Sequence, residues 1–142
     1  MILLDTNIIS ELMKPSPSAA VLAWLDEQES TQIFISTISI AEISYGINVL
    51  PKGKRRKQLE EACNKAILEA FQHRVLFFDE TSAYLYGKIM SHRKSLGRPM
   101  SILDGQICAT SRAHGLTVAT RNTQDFAHCD VNLINPFEVG GT

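Results

Sequence analysis

"SILDGQICATSRAHGLTVATRNTQDF", residues 101–126, reads as two elements of different period in direct succession. A helix begins after Pro99 with Ser101 and stops at Gly115, a residue suited to the left-handed position just past a helix end. "LTVAT" (116–120) follows as a short β-branched strand, and 121–126 as a turn. The same alternation extends in both directions. Strands are expected at "ILL" (2–4), "IFIS" (33–36), "VLFF" (75–78) and "VNLIN" (131–135). Between them lie helical patterns: "IISELMK" (8–14), a second short helix after Pro15 and Pro17, "TISIAEISYGINVL" (37–50), "RRKQLEEACNKAILEAF" (55–71) and 79–97. In 55–71, Leu59, Ala62, Cys63, Ala66, Ile67, Ala70 and Phe71 form one apolar stripe at helical spacing. Asp79 is placed to cap the helix over 79–97. Short strands alternating with longer helices predict an α/β fold of three layers, helices on both faces of a central parallel sheet of about five strands.

At 142 residues the chain fits a single domain over 1–142, with 138–142 expected as a frayed tail. Apolar residues make up 44% and charged residues 20%, the balance of an ordinary globular protein. Net charge is -1, but Lys52, Lys54, Arg55, Arg56 and Lys57 form a basic knot, leaving nine basic against fifteen acidic residues elsewhere. Such a knot is either a contact for a phosphate backbone or a solvated entry to a helix. Three scattered cysteines without a C-x-x-C pair, no basic leader and no bilayer-length apolar run lead to the expectation of a cytoplasmic protein with reduced thiols.

Three acids stand out by position. Asp5 closes the first strand, Glu42 is expected in the first turn of the helix after the second strand, and Asp104 in the first turn of the helix at 101–115. Each has a plain structural reading. Asp5 or Asn7 can cap the helix that follows, while Ser39-x-x-Glu42 and Ser101-x-x-Asp104 both match the capping-box pattern. Convergence weighs on the other side. In a right-handed parallel sheet, strand ends and helix N-termini face one crevice at the carboxyl edge. Carboxylates crowded there repel one another and are best tolerated around a cation. An all-oxygen set suits Mg²⁺ or Mn²⁺ rather than zinc, and an ion so held supports hydrolysis of a phosphodiester.

"MILLDTNIISEL" (1–12), "ISTISIAEISYGI" (35–47), the opening 101–126 stretch and the closing "VNLINPFE" (131–138) together resemble the PIN-domain proteins, specifically VapC-type toxins of the FitB-like subgroup. The match runs in order over nearly the whole chain. The resemblance implies a PIN-like parallel sheet between helices and a Mg²⁺- or Mn²⁺-dependent endoribonuclease acting on RNA. It also implies a homodimer, of higher order with a small VapB-type antitoxin that places a C-terminal segment in the active-site groove and supplies any DNA binding. Carried over by position, Asp5 and Asp104 would be direct metal ligands. Glu42 would hold a water of the ion or orient the attacking one, and Thr6 and Asn7 would steady Asp5. Many PIN domains carry Asp where this chain has Asn122, so one ion rather than two is expected. Asp125 either substitutes through water or caps its turn. Thr120, ending its strand, is a candidate supporting donor. The exposed cations expected to meet RNA phosphates are the knot with Lys54, Arg55 and Arg56, then Arg93, Lys94, Arg98, Arg112 and Arg121, with Arg98 and Arg121 nearest the acids in sequence.

Four histidines share no ligand spacing and read as surface residues, whereas Trp24, Phe34, Phe77 and Phe78 read as core. Two other functions are compatible with parts of the sequence. A PIN-fold RNA- or antitoxin-binding module without strong catalysis fits Asn122. A phosphoacceptor role for Asp5 fits its strand-end position, but lacks the D-x-D of haloacid-dehalogenase phosphatases because residue 7 is Asn.

Overall fold

Leu3 and Leu4 have no exposed surface, and they point to opposite faces of the strand that carries them. That is the signature of a strand covered on both sides. The computed structural model describes residues 1–138, in which this strand, β1 (Ile2–Leu4), is the centre of a five-stranded sheet. The other strands are β2 (Ile33–Ser36), β3 (Val75–Leu76), β4 (Thr117–Ala119) and β5 (Leu133–Ile134). All pair in parallel in the order β3-β2-β1-β4-β5. The chain therefore builds outward from β1 on one side and then returns to its other side. Such a reversal opens a crevice at the carboxyl ends of the strands.

Helices α1 (Thr6–Leu12), α2 (Ala19–Asp26), α3 (Thr37–Asn48) and α4 (Lys54–Cys63) cover one face. Their Ile8, Ile9, Val21, Trp24, Ile43 and Ile47 meet Leu4, Ile33 and Ile35 of the sheet. Helices α5 (Glu80–Ser95) and α6 (Ile102–Ala113) cover the other, with Ile89, Ile107, Cys108 and Ala109 against Leu3 and Val118. The three-layer parallel architecture is the one expected from the sequence. Among the described residues no helix is long and apolar enough to cross a membrane.

The joint between α6 and β4 forms as the sequence requires. Gly115 takes φ +67°, the Gly115 and Leu116 amides donate back to the Arg112 and Ser111 carbonyls at 3.3 and 2.9 Å, and the Ser111 hydroxyl donates to the Leu116 carbonyl at 2.7 Å. This closed helix end fixes how far α6 lies from its strand. At the other end, a Cβ on Gly105 would meet the Met90 sulfur at 2.5 Å and the Tyr86 ring at 3.0 Å, so α5 lies close against α6 one residue after Asp104.

Several local expectations are corrected. The helical run 55–71 is α-helical only to Cys63; a π-helical turn over Asn64–Glu69 follows, and Ala70 is exposed while Ile67 and Phe71 stay buried. The wider turn resets the phase of the stripe. "VLFF" pairs only through Val75 and Leu76, since β3 is an edge strand with one neighbour, and Phe77 turns out into solvent, 66% exposed. Arg93 is buried, not a surface cation. Its Nε donates to the Arg98 carbonyl at 2.6 Å and its Nη1 to the Asp125 and Ala127 carbonyls at 2.9 and 2.8 Å. All four histidines are exposed and the three cysteines are free thiols. The tail expected at 138–142 lies, beyond Glu138, outside the described residues.

Candidate active site

Asp5 is the first residue after β1, and its backbone amide donates to the Ala119 carbonyl at 2.9 Å, extending the ladder with β4 by one bond. It also caps α1. Its Oδ1 accepts the Thr6 amide at 2.8 Å, and its Oδ2 accepts the hydroxyl of the fully buried Thr120 at 2.8 Å. Both oxygens are thus held by donors, but the group is only 5% exposed and, among the described residues, no positive side chain forms a salt bridge with it. Burial is the main reason that the Asp5 carboxyl is pushed up from 3.8 to about 6; Thr120 and the Thr6 amide oppose the rise, and the charges of Asp104 and Glu42 add to it.

Glu42 lies in the second turn of α3, not the first, because Ser36 rather than Ser39 caps the helix. The strand ends at Ser36, whose hydroxyl accepts the Ser39 amide at 3.2 Å. The capping box expected at Ser39 does not form, which leaves both its members for other work. The Thr6 hydroxyl donates to Glu42 Oε1 at 2.9 Å and lies 2.9 Å from the Ser39 hydroxyl. Since a hydroxyl has one proton to give, Ser39 donates to Thr6 and Thr6 to Glu42, a relay that fixes the carboxylate.

Asp104 is in the first turn of α6 as expected. Ser101 caps that helix, accepting the Asp104 amide at 3.2 Å. Burial raises the Asp104 carboxyl above the usual range, the Ser101 hydroxyl opposes the rise, Asp125 adds to it and Arg93 lowers it.

Asp5, Glu42 and Asp104 line one crevice of about 460 Å³ at the carboxyl edge of the sheet. Asn122 also lines it, with its amide donating to Thr120 Oγ1 at 3.1 Å. Among the described residues the Asn7 side chain makes no hydrogen bond to Asp5. Its Nδ2 donates to Thr120 Oγ1 at 3.4 Å and its Oδ1 accepts the Arg121 amide at 3.3 Å, so it steadies the donor of Asp5 rather than Asp5 itself. Asp125 is exposed on the 3-10 turn Thr123–Phe126, outside the lining, and reaches the site through its charge on Asp104.

The basic candidates separate. Arg121 lines the crevice, while Arg98 is exposed elsewhere and contributes its carbonyl to Arg93. Lys54 is exposed at the start of α4, and Arg56 is tied to Glu60 at 3.0 Å and Asn48 at 2.9 Å. Arg55 lines a second, larger groove of about 1000 Å³ between α1, α3 and α4. Its apolar wall is Met13, Ile43, Ile47 and Leu59, and it shares Thr6 and Glu42 with the crevice.

Sequence reasoning named only Asn7 in one wall of the crevice. Asn7, Ser10, Glu11 and Lys14 form a polar stripe along α1 and its end, at i, i+3, i+4 and i+7. That spacing is the mirror of an apolar stripe and was available as a signal. Glu11 is buried and engaged within the stripe; Lys14 at 2.9 Å, then the Ser18 amide at 2.9 Å, hold its carboxyl below the usual range.

Among the described residues no three His, Cys, Asp or Glu side chains close on one point as they stand, Glu42 being held on Thr6. Nevertheless, the donor set suits a hard divalent cation. Asp5, Glu42 and Asp104 offer oxygen only, the charges of Glu42 and Asp104 raise the proton affinity of Asp5, and none of the three makes a salt bridge among the described residues.

The family described as PIN domain matches residues 2–132. Over 137 residues the chain is 43% identical to Toxin FitB of Neisseria gonorrhoeae, spanning 96% of this chain and 99% of that one. Over 138 residues it is 42% identical to VapC ribonuclease Y4jK of Sinorhizobium fredii, spanning 97% and 99%. A solved structure of FitAB bound to an IR36 DNA fragment superposes with a TM-score of 0.88 at 42% identity, covering 96% of each chain.

Proposed function

This chain belongs to the PIN-domain family, and from that premise we propose that it is a toxin endoribonuclease that hydrolyses RNA phosphodiester bonds with Mg²⁺ or Mn²⁺ and is restrained by an antitoxin protein. The observation that carries this reading is the meeting of Asp5, Glu42 and Asp104 in one crevice with no salt bridge to any of them among the described residues. Relatives that share more than two-fifths of its sequence, one of them named a ribonuclease, support it. The chain acts as one domain, in the cytoplasm and as a homodimer.

Asp5 and Asp104 are the residues that would hold the ion directly. Bound there, it would lower the pKa of a water and stabilise charge on the phosphodiester. The protein's own part is orientation. Thr120 and the Thr6 amide fix the two oxygens of Asp5, so its free lone pairs face the crevice. The Ser39–Thr6 relay occupies Glu42 Oε1 and leaves Oε2 to accept the proton of an attacking water. Asp125 acts from the rim, by charge. The apolar groove beside Glu42 suits a hydrophobic antitoxin segment whose end would cover the crevice, and DNA binding belongs to the toxin–antitoxin complex through the antitoxin.

The test compares digestion of total cellular RNA by antitoxin-free protein in Mg²⁺, Mn²⁺ and EDTA, with folded Asp5→Asn and Asp104→Asn variants alongside. Discrete fragments that need metal and both acids support the reading. RNA binding without cleavage under every condition would replace it with a binding module.

A further inference from the structure

The closing "INPFE" (134–138), to which catalysis gives no task, contributes Phe137 to the lining of the crevice. Asn135 ties two points there. Its side-chain amide donates to the Arg121 carbonyl at 3.3 Å, and its side-chain oxygen accepts the Phe137 amide at 3.0 Å. Asn7 holds the other side of Arg121 through its backbone amide at 3.3 Å. With its backbone held at both ends, Arg121 lays its guanidinium over the Phe137 ring, 4.3 Å from the centroid. Both side chains line the crevice that holds Asp5 and Asp104.

A guanidinium stacked on a ring keeps its N–H edges available and loses little further rotamer freedom when it binds. Arg121 has no carboxylate partner among the described residues. Lys14, the other cation of the lining, is paired with Glu11. A polyanionic strand entering a crevice walled by Asp5, Glu11, Glu42 and Asp104 meets charge of its own sign, and a fixed cation at the mouth is what offsets it.

We propose that Arg121 is the phosphate dock of this crevice, taking the non-bridging oxygens of an RNA phosphodiester next to the one that is cut, and that Phe137 and Asn135 are positioning residues that hold its guanidinium flat. The identity of the strand as RNA rests on the ribonuclease reading.

The experiment measures binding of a fluorescently labelled mixed-sequence single-stranded oligoribonucleotide to the full chain in EDTA, across a salt series. Arg121→Ala is expected to weaken binding about fivefold or more at low salt, and to reduce the slope of log K against log salt by about 0.7, the contribution of one phosphate contact on a single strand. Arg121→Lys keeps the slope but binds about threefold more weakly than wild type, since an ammonium does not reproduce the stacked fork. Phe137→Leu keeps the slope and loses about three- to tenfold in affinity. Asn135→Ala carries the same expectation and decides the positioning role if Phe137→Leu does not fold. Lys88→Ala, an exposed cation of α5 outside the crevice lining, serves as the control and changes neither quantity. An unchanged slope in Arg121→Ala, or an equal loss in Lys88→Ala, overturns the dock. An unchanged affinity in Asn135→Ala with a folded Phe137→Leu overturns the positioning role. Cleavage by a protein whose Arg121→Ala variant keeps the full slope sinks this inference alone, whereas a lost slope in a protein that never cuts sinks only the nuclease.

Discussion

Replacing Asp5 by Asn should make the metal-free protein more stable at neutral pH, even as it removes cleavage. Folded, the Asp5 carboxyl keeps its proton up to about pH 6; unfolded, only to about 3.8. The folded state therefore binds the proton more tightly, and the stability this gives is complete below pH 3.8 and lost as the pH rises through 6. By pH 7.5 the ionised, buried group weakens the fold by a maximum of about 3 kcal/mol. Asparagine retains an acceptor for the Thr6 amide and still caps α1, but its Nδ2 cannot accept the Thr120 hydroxyl, which offsets much of the relief, so we expect a net gain of about 1 kcal/mol. For a chain of this length that is a rise in Tm of roughly 3–4 °C. The assay is thermal unfolding of wild type and Asp5→Asn in EDTA from pH 4 to pH 8, read as the difference between the two. The difference should be positive at pH 7.5 and shrink toward zero near pH 4. A variant less stable than wild type at pH 7.5, or a difference that ignores pH, would refute the reasoning and return Asp5 to the role of an ordinary cap.

Other perturbations separate the parts of the site. Mg²⁺ in millimolar excess should raise the Tm of wild type by a few degrees and leave Asp104→Asn unchanged, as linkage requires if that carboxylate is a ligand; an equal rise in both would remove Asp104 from the set. Thr120→Val keeps the shape but takes the O–H from Asp5 Oδ2, so stability at pH 7.5 should fall by about 1–3 kcal/mol and half-maximal cleavage should need more metal. Thr6→Val breaks the relay to Glu42 and should lower kcat about tenfold or more with little change in the metal requirement, measured on one defined RNA fragment. Arg93→Met strands the carbonyls of Arg98, Asp125 and Ala127; urea unfolding should show a loss of about 2–4 kcal/mol.

The layers, the strand centres and the three acids were legible because they follow from period and position. What escaped the sequence did so for local physical reasons. Ser36 and Ser39 are equivalent letters, and only the end of β2 decides which of them caps α3, moving Glu42 by a turn. Phe77 belongs to an apolar run, but an edge strand with one neighbour has no cover to offer it. Arg93 stands among His92, Lys94 and Ser95, all exposed, and nothing in that run tells a buried cation from a solvated one. The π-helical turn leaves no mark on a stripe that fits either helix. Phe137 reads as an ordinary terminal aromatic until β5 brings it beside Arg121, sixteen residues earlier in the chain.

The strand order has a consequence in time. β1 is made first, yet its partner β4 begins at Thr117 and β5 at Leu133. Asp5 obtains its Thr120 hydroxyl, its Ala119 carbonyl and the facing Asp104 only when the last third of the chain docks. Those are contacts of high sequence separation, and they carry the loop-closure entropy of a long chain. A ribosome-bound fragment ending near Gly115 can hold β1, β2 and their helices but not a crevice. The crevice that gathers Asp5 and Asp104 thus comes into being only with the finished sheet, so under the proposed function a chain still in synthesis holds no assembled site for RNA.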